Sequence, residues 1–171
     1  IGLLAAATEA SCIHLYDFYH YAEGWRAWLG PVPLAVALIW PMVIQSVADL
    51  TSASSSRPWL RVALFGALVT WDAAFIEPVA VAGGLWQWTH PGIFGVPPIG
   101  ILGWGAFALS TVALYVPRIP RVAALALPPV VTHAILLALW WGGMRAVDVR
   151  WTSESTLIVA AIAGVIAVLA A

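Results

Sequence analysis

The sequence predicts an all-α, polytopic membrane helix bundle of about six transmembrane helices with one re-entrant or irregular segment rich in Gly, Pro and Trp. Three observations lead there. Hydrophobic residues make up 63% of the 171 residues and charged residues only 9%, against roughly 25% charged in a soluble domain. Mean hydropathy is +0.95, and apolar runs of about the 20 residues that cross a hydrocarbon core recur along the chain. Between them, Gly83 to Pro97 is broken by Gly and Pro, and broken backbone survives at membrane depth only where protein or a cavity covers it. The expectation is a single integral membrane domain over 1-171 with the lipid bilayer around it.

The first span runs from about Gly2 to Tyr21 and is unusually polar. It lacks a basic leader and carries Glu9, His14 and Asp17, so it does not read as a cleavable signal peptide. The second follows Pro31 and Pro33 and ends near Leu50, with a kink expected at Trp40-Pro41. The third starts at Pro58, a favoured first-turn position, and is expected to end at Glu77, because Pro78 disfavours helix in the residue before it. The fourth covers about Pro98 to Val116 and the fifth Val122 to Trp141, broken or bent at Pro128-Pro129; the sixth runs from Thr156 to Ala171. No internal repeat is visible.

Several function classes fall away. A net charge of −1 gives no basic field for nucleic acid. The single Cys12 forms no internal disulfide and has no metal-ligand spacing around it. No Gly-rich phosphate loop, Ser-centred elbow or zinc spacing is present, and the four His are dispersed. Neither a metal nor a cofactor is expected.

The acids are the informative residues. Carboxyls are expensive inside a bilayer and rarely sit there without a partner or a task. If the helices alternate, Asp17, His20, Asp72, Glu77, Trp86, Trp88 and His133 fall at similar depth. At about 100° per residue, Glu9, Tyr16 and His20 share a narrow face of the first helix, with Asp17 at its edge. Asp72 lies well inside the third run, and Glu77 is about 140° further round. A carboxyl that keeps its proton in a dry pocket is a general acid. The plain alternative is internal hydrogen bonding that glues helices together. Eleven Trp are present. Trp25, Trp28, Trp59 and Trp151 fit the interfacial belt, whereas Trp71, Trp86, Trp88 and Trp104 cluster near the acids, where aromatic faces would stabilise a cation.

These residues resemble a known family. Thr70-Trp71-Asp72, Glu77-Pro78-Val79-Ala80, Gly84-Leu85-Trp86-Gln87-Trp88, Gly95-Val96-Pro97 and Leu102-Gly103-Trp104 are similar, in order, to the carotenoid biosynthesis membrane family that includes bisanhydrobacterioruberin hydratase. Tyr19-His20-Tyr21, Gly30-Pro31-Val32-Pro33 and Ile39-Trp40-Pro41 resemble its earlier blocks. The Trp-Asp and Gly-x-Trp-x-Trp layout is also similar, more distantly, to membrane-embedded lycopene and terpene cyclases. Glu77-Pro78 stands where the family commonly has Asp-Pro, and Gly100 where it often has Asn.

The resemblance implies a lipophilic isoprenoid substrate, a carotenoid, and a bacterial or archaeal inner or plasma membrane; it leaves room for an oligomer. Joined to the acids and aromatics, it gives a cofactor-independent acid catalyst. Asp72, with Glu77 or Glu9, protonates a terminal C=C; Trp71, Trp86 and Trp104 stabilise the tertiary cation; water adds, as in a hydratase (a lyase). Trp88, Tyr16, Asp17, His20 and His133 complete the expected binding site. Two rivals stand beside this reading: a proton-initiated cyclase (an isomerase), and a non-catalytic pigment-binding membrane subunit.

Overall fold

The computed structural model describes residues 1–54, 57–115 and 119–139. Among them are five α-helices: α1 (Gly2–Tyr16), α2 (Leu34–Ser54), α3 (Pro58–Ala82), α4 (Pro98–Thr111) and α5 (Arg121–Leu137). Four short strands sit in the connections: β1 (Tyr19–Tyr21), β2 (Trp28–Leu29), β3 (Val32–Pro33) and β4 (Trp86–Trp88). A 3-10 turn, Val112–Tyr115, extends α4.

Among the described residues, three helical segments, Leu34–Ala53, Pro58–Ala82 and Pro98–Tyr115, are long and apolar enough to cross a membrane. The expectation of six spans is not met among the described residues: α1 has 15 residues and α5 has 17, short of the roughly 20 a span needs, and Trp141, where the fifth span was expected to end, lies outside them. The sixth expected span, Thr156 to Ala171, lies outside the described residues, as does Trp151.

The first helix is shorter than expected because Asp17 adopts a left-handed conformation, φ 51° and ψ 41°, and closes α1 with its N–H on Ile13 O. A left-handed residue just past the last turn is a common helix terminator. The third helix is longer than expected. It runs through Pro78 to Ala82, the loss of one backbone N–H being tolerable where neighbouring helices re-satisfy the chain. Gly84, at φ 68°, then turns it toward β4, with Leu85 N–H on Ala80 O. The prolines of α2 and α5 likewise lie within continuous helices.

The segment expected to be irregular or re-entrant instead contains a strand. β4 pairs antiparallel with β1 in the register Tyr19↔Trp88, His20↔Gln87, Tyr21↔Trp86. Two further bonds continue the ladder, Ala22 N–H to Leu85 O and Thr89 N–H to Phe18 O. β2 and β3 form a separate pair. The β1–β4 pair satisfies main-chain groups that a bare loop would leave open.

This pairing exposes an order that the sequence conceals. Apart from the β2–β3 pair inserted between β1 and α2, the chain repeats one unit, helix–strand–helix, as α1–β1–α2 and α3–β4–α4. The register is symmetric about His20 and Gln87, and each flanking ladder bond is the counterpart of the other. The two units therefore meet at a pseudo-two-fold axis through the strand pair. Their shared core holds Ala5, Trp40, Ile44, Phe65, Val69 and Phe107 from all four helices. α5 packs against α1 and α4.

Candidate functional site

Strand geometry aims four aromatic side chains the same way. Successive residues of a strand point to opposite faces, so Tyr19, Tyr21, Trp86 and Trp88 share one face, and His20 and Gln87 take the other, where both are exposed. The aromatic face lies over the helices, and two carboxyls rise to meet it. Tyr19 packs on Trp88 with ring centroids 4.8 Å apart, and Tyr21 meets Trp86 edge-on at 5.7 Å.

Glu77, on α3 and 2% exposed, accepts three indole N–H groups. Trp86 and Trp88 of β4 donate to Oε2 at 2.9 and 3.1 Å, and Trp104 of α4 donates to Oε1 at 2.7 Å. Glu9, on α1, is held in the same pattern. Tyr19 and Tyr21 of β1 donate to its Oε2, Tyr19 at 3.2 Å, and the Trp40 indole of α2 donates to Oε1. Each carboxyl thus has two donors from the strand that follows its own helix and one from the next helix. Trp40 and Trp104, the third donors, pack on each other with centroids 4.7 Å apart and an interplanar angle of 41°.

An ionised carboxyl offers about four acceptor positions. Three are filled in each case, and the open one lies on Oε1, beside the Trp40–Trp104 pair. Burial and the neighbouring Glu9 push the Tyr19 and Tyr21 phenols well above their ordinary range, so both keep their protons and remain able to donate.

Both carboxyls and all six donors line one cavity of about 480 Å³. Its other walls are apolar: Cys12, Phe18, Ile99, Phe107 and Leu136. Four lining residues are also open to the outside, Ile39 (46%), Phe75 (58%), Val79 (73%) and Leu85 (41%). They belong to α2, α3 and the turn after α3, so this wall of the cavity is shared with the outer surface of two membrane-length helices.

A family model described as "carotenoid biosynthesis protein" matches residues 7–170. The chain belongs to that family. No curated protein and no solved structure matches it. The family and the three membrane-length helices make it a membrane protein with a role in carotenoid biosynthesis.

In this carotenoid biosynthesis protein the expected site residues divide into those that meet and those that do not. Glu9, Glu77, Trp86, Trp88 and Trp104 converge on the cavity. Asp72 does not line it: the half-buried side chain sits on another side of α3, as the angle of about 140° from Glu77 requires. Trp71, 37% exposed, stands edge-on to Phe75. Tyr16 and Ser11 bracket the ring of His133, at 3.0 Å from Nδ1 and 2.7 Å from Nε2, and tie α1 to α5. Asp17 is exposed at the end of α1. His20 shares no helix face with Glu9, because α1 has already ended, and it points away from the cavity.

Tyr19, Tyr21 and Trp40 are the donors that sequence reasoning missed. A signal was there: Tyr-x-Tyr lies 10 and 12 residues after Glu9, and Trp-x-Trp lies 9 and 11 after Glu77. Period two marks a strand, and the recurrence marks the repeat.

The two donor sets respond differently to an amide. In Glu9→Gln, the amide oxygen still receives the Trp40 indole, and its NH₂ donates to phenol oxygens, which also accept. In Glu77→Gln, the NH₂ faces an indole that cannot accept, leaving opposed donors at a cost of about 1–3 kcal/mol. Thermal unfolding in detergent is therefore expected to show Glu77→Gln clearly less stable than Glu9→Gln. The reverse order would mean that the donor assignment is wrong.

Proposed function

We propose that this protein protonates a terminal trisubstituted C=C of a carotenoid precursor in the cavity between Glu9 and Glu77, and that water adds to the resulting tertiary cation. The observation that carries this reading is the pair of buried carboxyls, each fixed by three donors and each left with one open acceptor position toward an apolar, aromatic space. Family membership supplies the substrate class, a long isoprenoid. A cavity of about 480 Å³ falls in the usual small-molecule range of roughly 300–1,000 Å³. It receives the end of such a chain, while the remainder leaves between the exposed Ile39, Phe75 and Val79 and stays in lipid.

The chemistry follows from the wall. A carboxyl O–H gives its proton to the less substituted alkene carbon; a C–H bond forms and the π pair is consumed. The tertiary cation lies among the faces of Trp40, Trp86 and Trp104, whose quadrupoles attract positive charge. Water forms the C–O bond and loses a proton to a carboxylate, giving a tertiary alcohol. The elements of water are gained, with no change in oxidation state.

The test is expression in a host that makes lycopene, with pigments read by mass. A product heavier by one water is expected from the wild type, and loss of that product from Glu77→Gln. Asp72→Asn is expected to retain product within about twofold, as a change away from the reacting groups should. A new pigment of unchanged mass would replace hydration with ring closure. Pigment that co-purifies without conversion would replace catalysis with binding.

A further inference from the structure

Glu9 and Glu77 hold equivalent places in the two helix–strand–helix units, yet their partners differ in kind. Every donor on Glu77 is an indole N–H, which donates and never accepts. Two of the three on Glu9 are phenol hydroxyls, which do both.

The difference matters when a proton moves. As Glu77 gives up a proton, the charge that develops on it meets three N–H groups already aimed at it, so nothing needs to reorganise. Preorganised donors at a site of developing charge are among the strongest catalytic devices, and an alkene is too weak a base to be protonated without such help. The Glu9 set does something else. When Glu9 gains a proton, a phenol can rotate from donor to acceptor, so both protonation states remain hydrogen-bonded. Trp40 and Trp104, which donate to the two Oε1 atoms, pack on each other in the one cavity that both carboxyls line.

We propose that the two carboxyls divide the proton work: Glu77 is the acid that protonates the alkene, and Glu9, positioned by Tyr21, is the base that takes the proton released when the cation is quenched. This rests on the acid-catalysis reading above. It holds whether water or a second alkene quenches the cation, because either route releases one proton. In the forward step the Glu77 O–H bond breaks and a C–H bond forms. In the quench, an O–H of the added water, or a C–H beside the ring cation, breaks, and the proton goes to Glu9. Transfer from Glu9 to Glu77 through a cavity water closes the cycle, with no proton gained or lost overall.

The experiment uses purified protein in detergent, lycopene as the probe, and D₂O as solvent. Product and recovered lycopene are both read by mass. With Glu9→Gln, the cation still forms but is not quenched; it collapses by returning a proton to Glu77. Product formation is expected to fall about 100-fold or more, while recovered lycopene gains deuterium in its terminal units. Tyr21→Phe is expected to show the same signature to a smaller degree. Glu77→Gln is expected to abolish both product and labelling. Should that variant fail to fold, Trp104→Phe takes its place: it removes one donor from Glu77 and should slow product and labelling together.

Loss of labelling in Glu9→Gln, or labelling that survives in Glu77→Gln, would overturn the division of roles and leave acid catalysis standing. So would product formation at the wild-type rate in Glu9→Gln. Wild-type protein that neither converts nor labels lycopene would remove the acid-catalysis reading, and the division with it.

Discussion

Glu77→Ala is expected to leave the protein unable to accumulate in the membrane. Truncation removes the common acceptor of Trp86, Trp88 and Trp104 and orphans three indole N–H groups at once. An unsatisfied buried donor costs about 1–3 kcal/mol, so three would consume much of the roughly 5–15 kcal/mol by which proteins are stable. The steady-state protein level and the unfolding temperature in detergent both report the loss. The cause can be isolated. Adding Trp104→Phe to Glu77→Ala removes one orphan, so the double variant should be more stable than Glu77→Ala. In the wild-type background, Trp104→Phe alone should destabilise. A change of sign between the two backgrounds identifies the hydrogen bonds as the cause. The same sign in both would mean that Trp104 acts by packing alone.

Gly100→Ala is the second large effect, and it reaches the site from behind. A Cβ at Gly100 would lie 2.5 Å from Cζ2 of Trp88, 2.9 Å from Cη2 and 3.1 Å from Cε2. An indole is rigid, and its Nε1 is bonded to Glu77 at 3.1 Å. The ring must shift as a body and carry its N–H away from Oε2. Overpacking of this kind costs about 1–3 kcal/mol. Activity should fall further than stability, because the displaced donor faces the charge that develops on Glu77, and one such donor is worth about 10²–10³ in rate. Product yield per folded protein, measured beside the unfolding temperature, separates the two effects. A variant with normal yield would show that Trp88 is a wall of the cavity and not a partner of the acid.

Much of the site was legible in the chain. Glu9 and Glu77 stood out because carboxyls in apolar runs are costly, and Trp86, Trp88 and Trp104 because they cluster around one of them. Helix alternation brought only Glu77, Trp86 and Trp88 of these to one depth, and the structure adds Glu9 and Trp104 to the same cavity. Asp72 was the misleading residue. It lies deeper in its apolar run than Glu77, and sequence depth counts distance from a helix end without saying which neighbour a side chain faces.

The reading of Glu9, Tyr16 and His20 as one narrow face, with Asp17 at its edge, failed beyond Tyr16 for a local reason. A single left-handed residue at Asp17 changes the period from 3.6 to 2. Tyr21 is thereby turned toward Glu9, and His20 outward. Tyr19-His20-Tyr21 was legible as a motif, yet its conformation depends on Trp86-Gln87-Trp88 as a pairing partner far along the chain.

The sequence by itself determined the class of the protein, the presence of costly acids among aromatics, and the family. Those follow from composition, periodicity and ordered motifs, all of which are local. Only the tertiary structure decided which acids share a cavity, which donors hold them, and that the two halves of the site repeat one unit. A strand pair joins residues more than sixty positions apart, and Trp40 reaches Glu9 across 31. Hydrogen bonds are made to whatever the fold brings near, and no local pattern states what that will be.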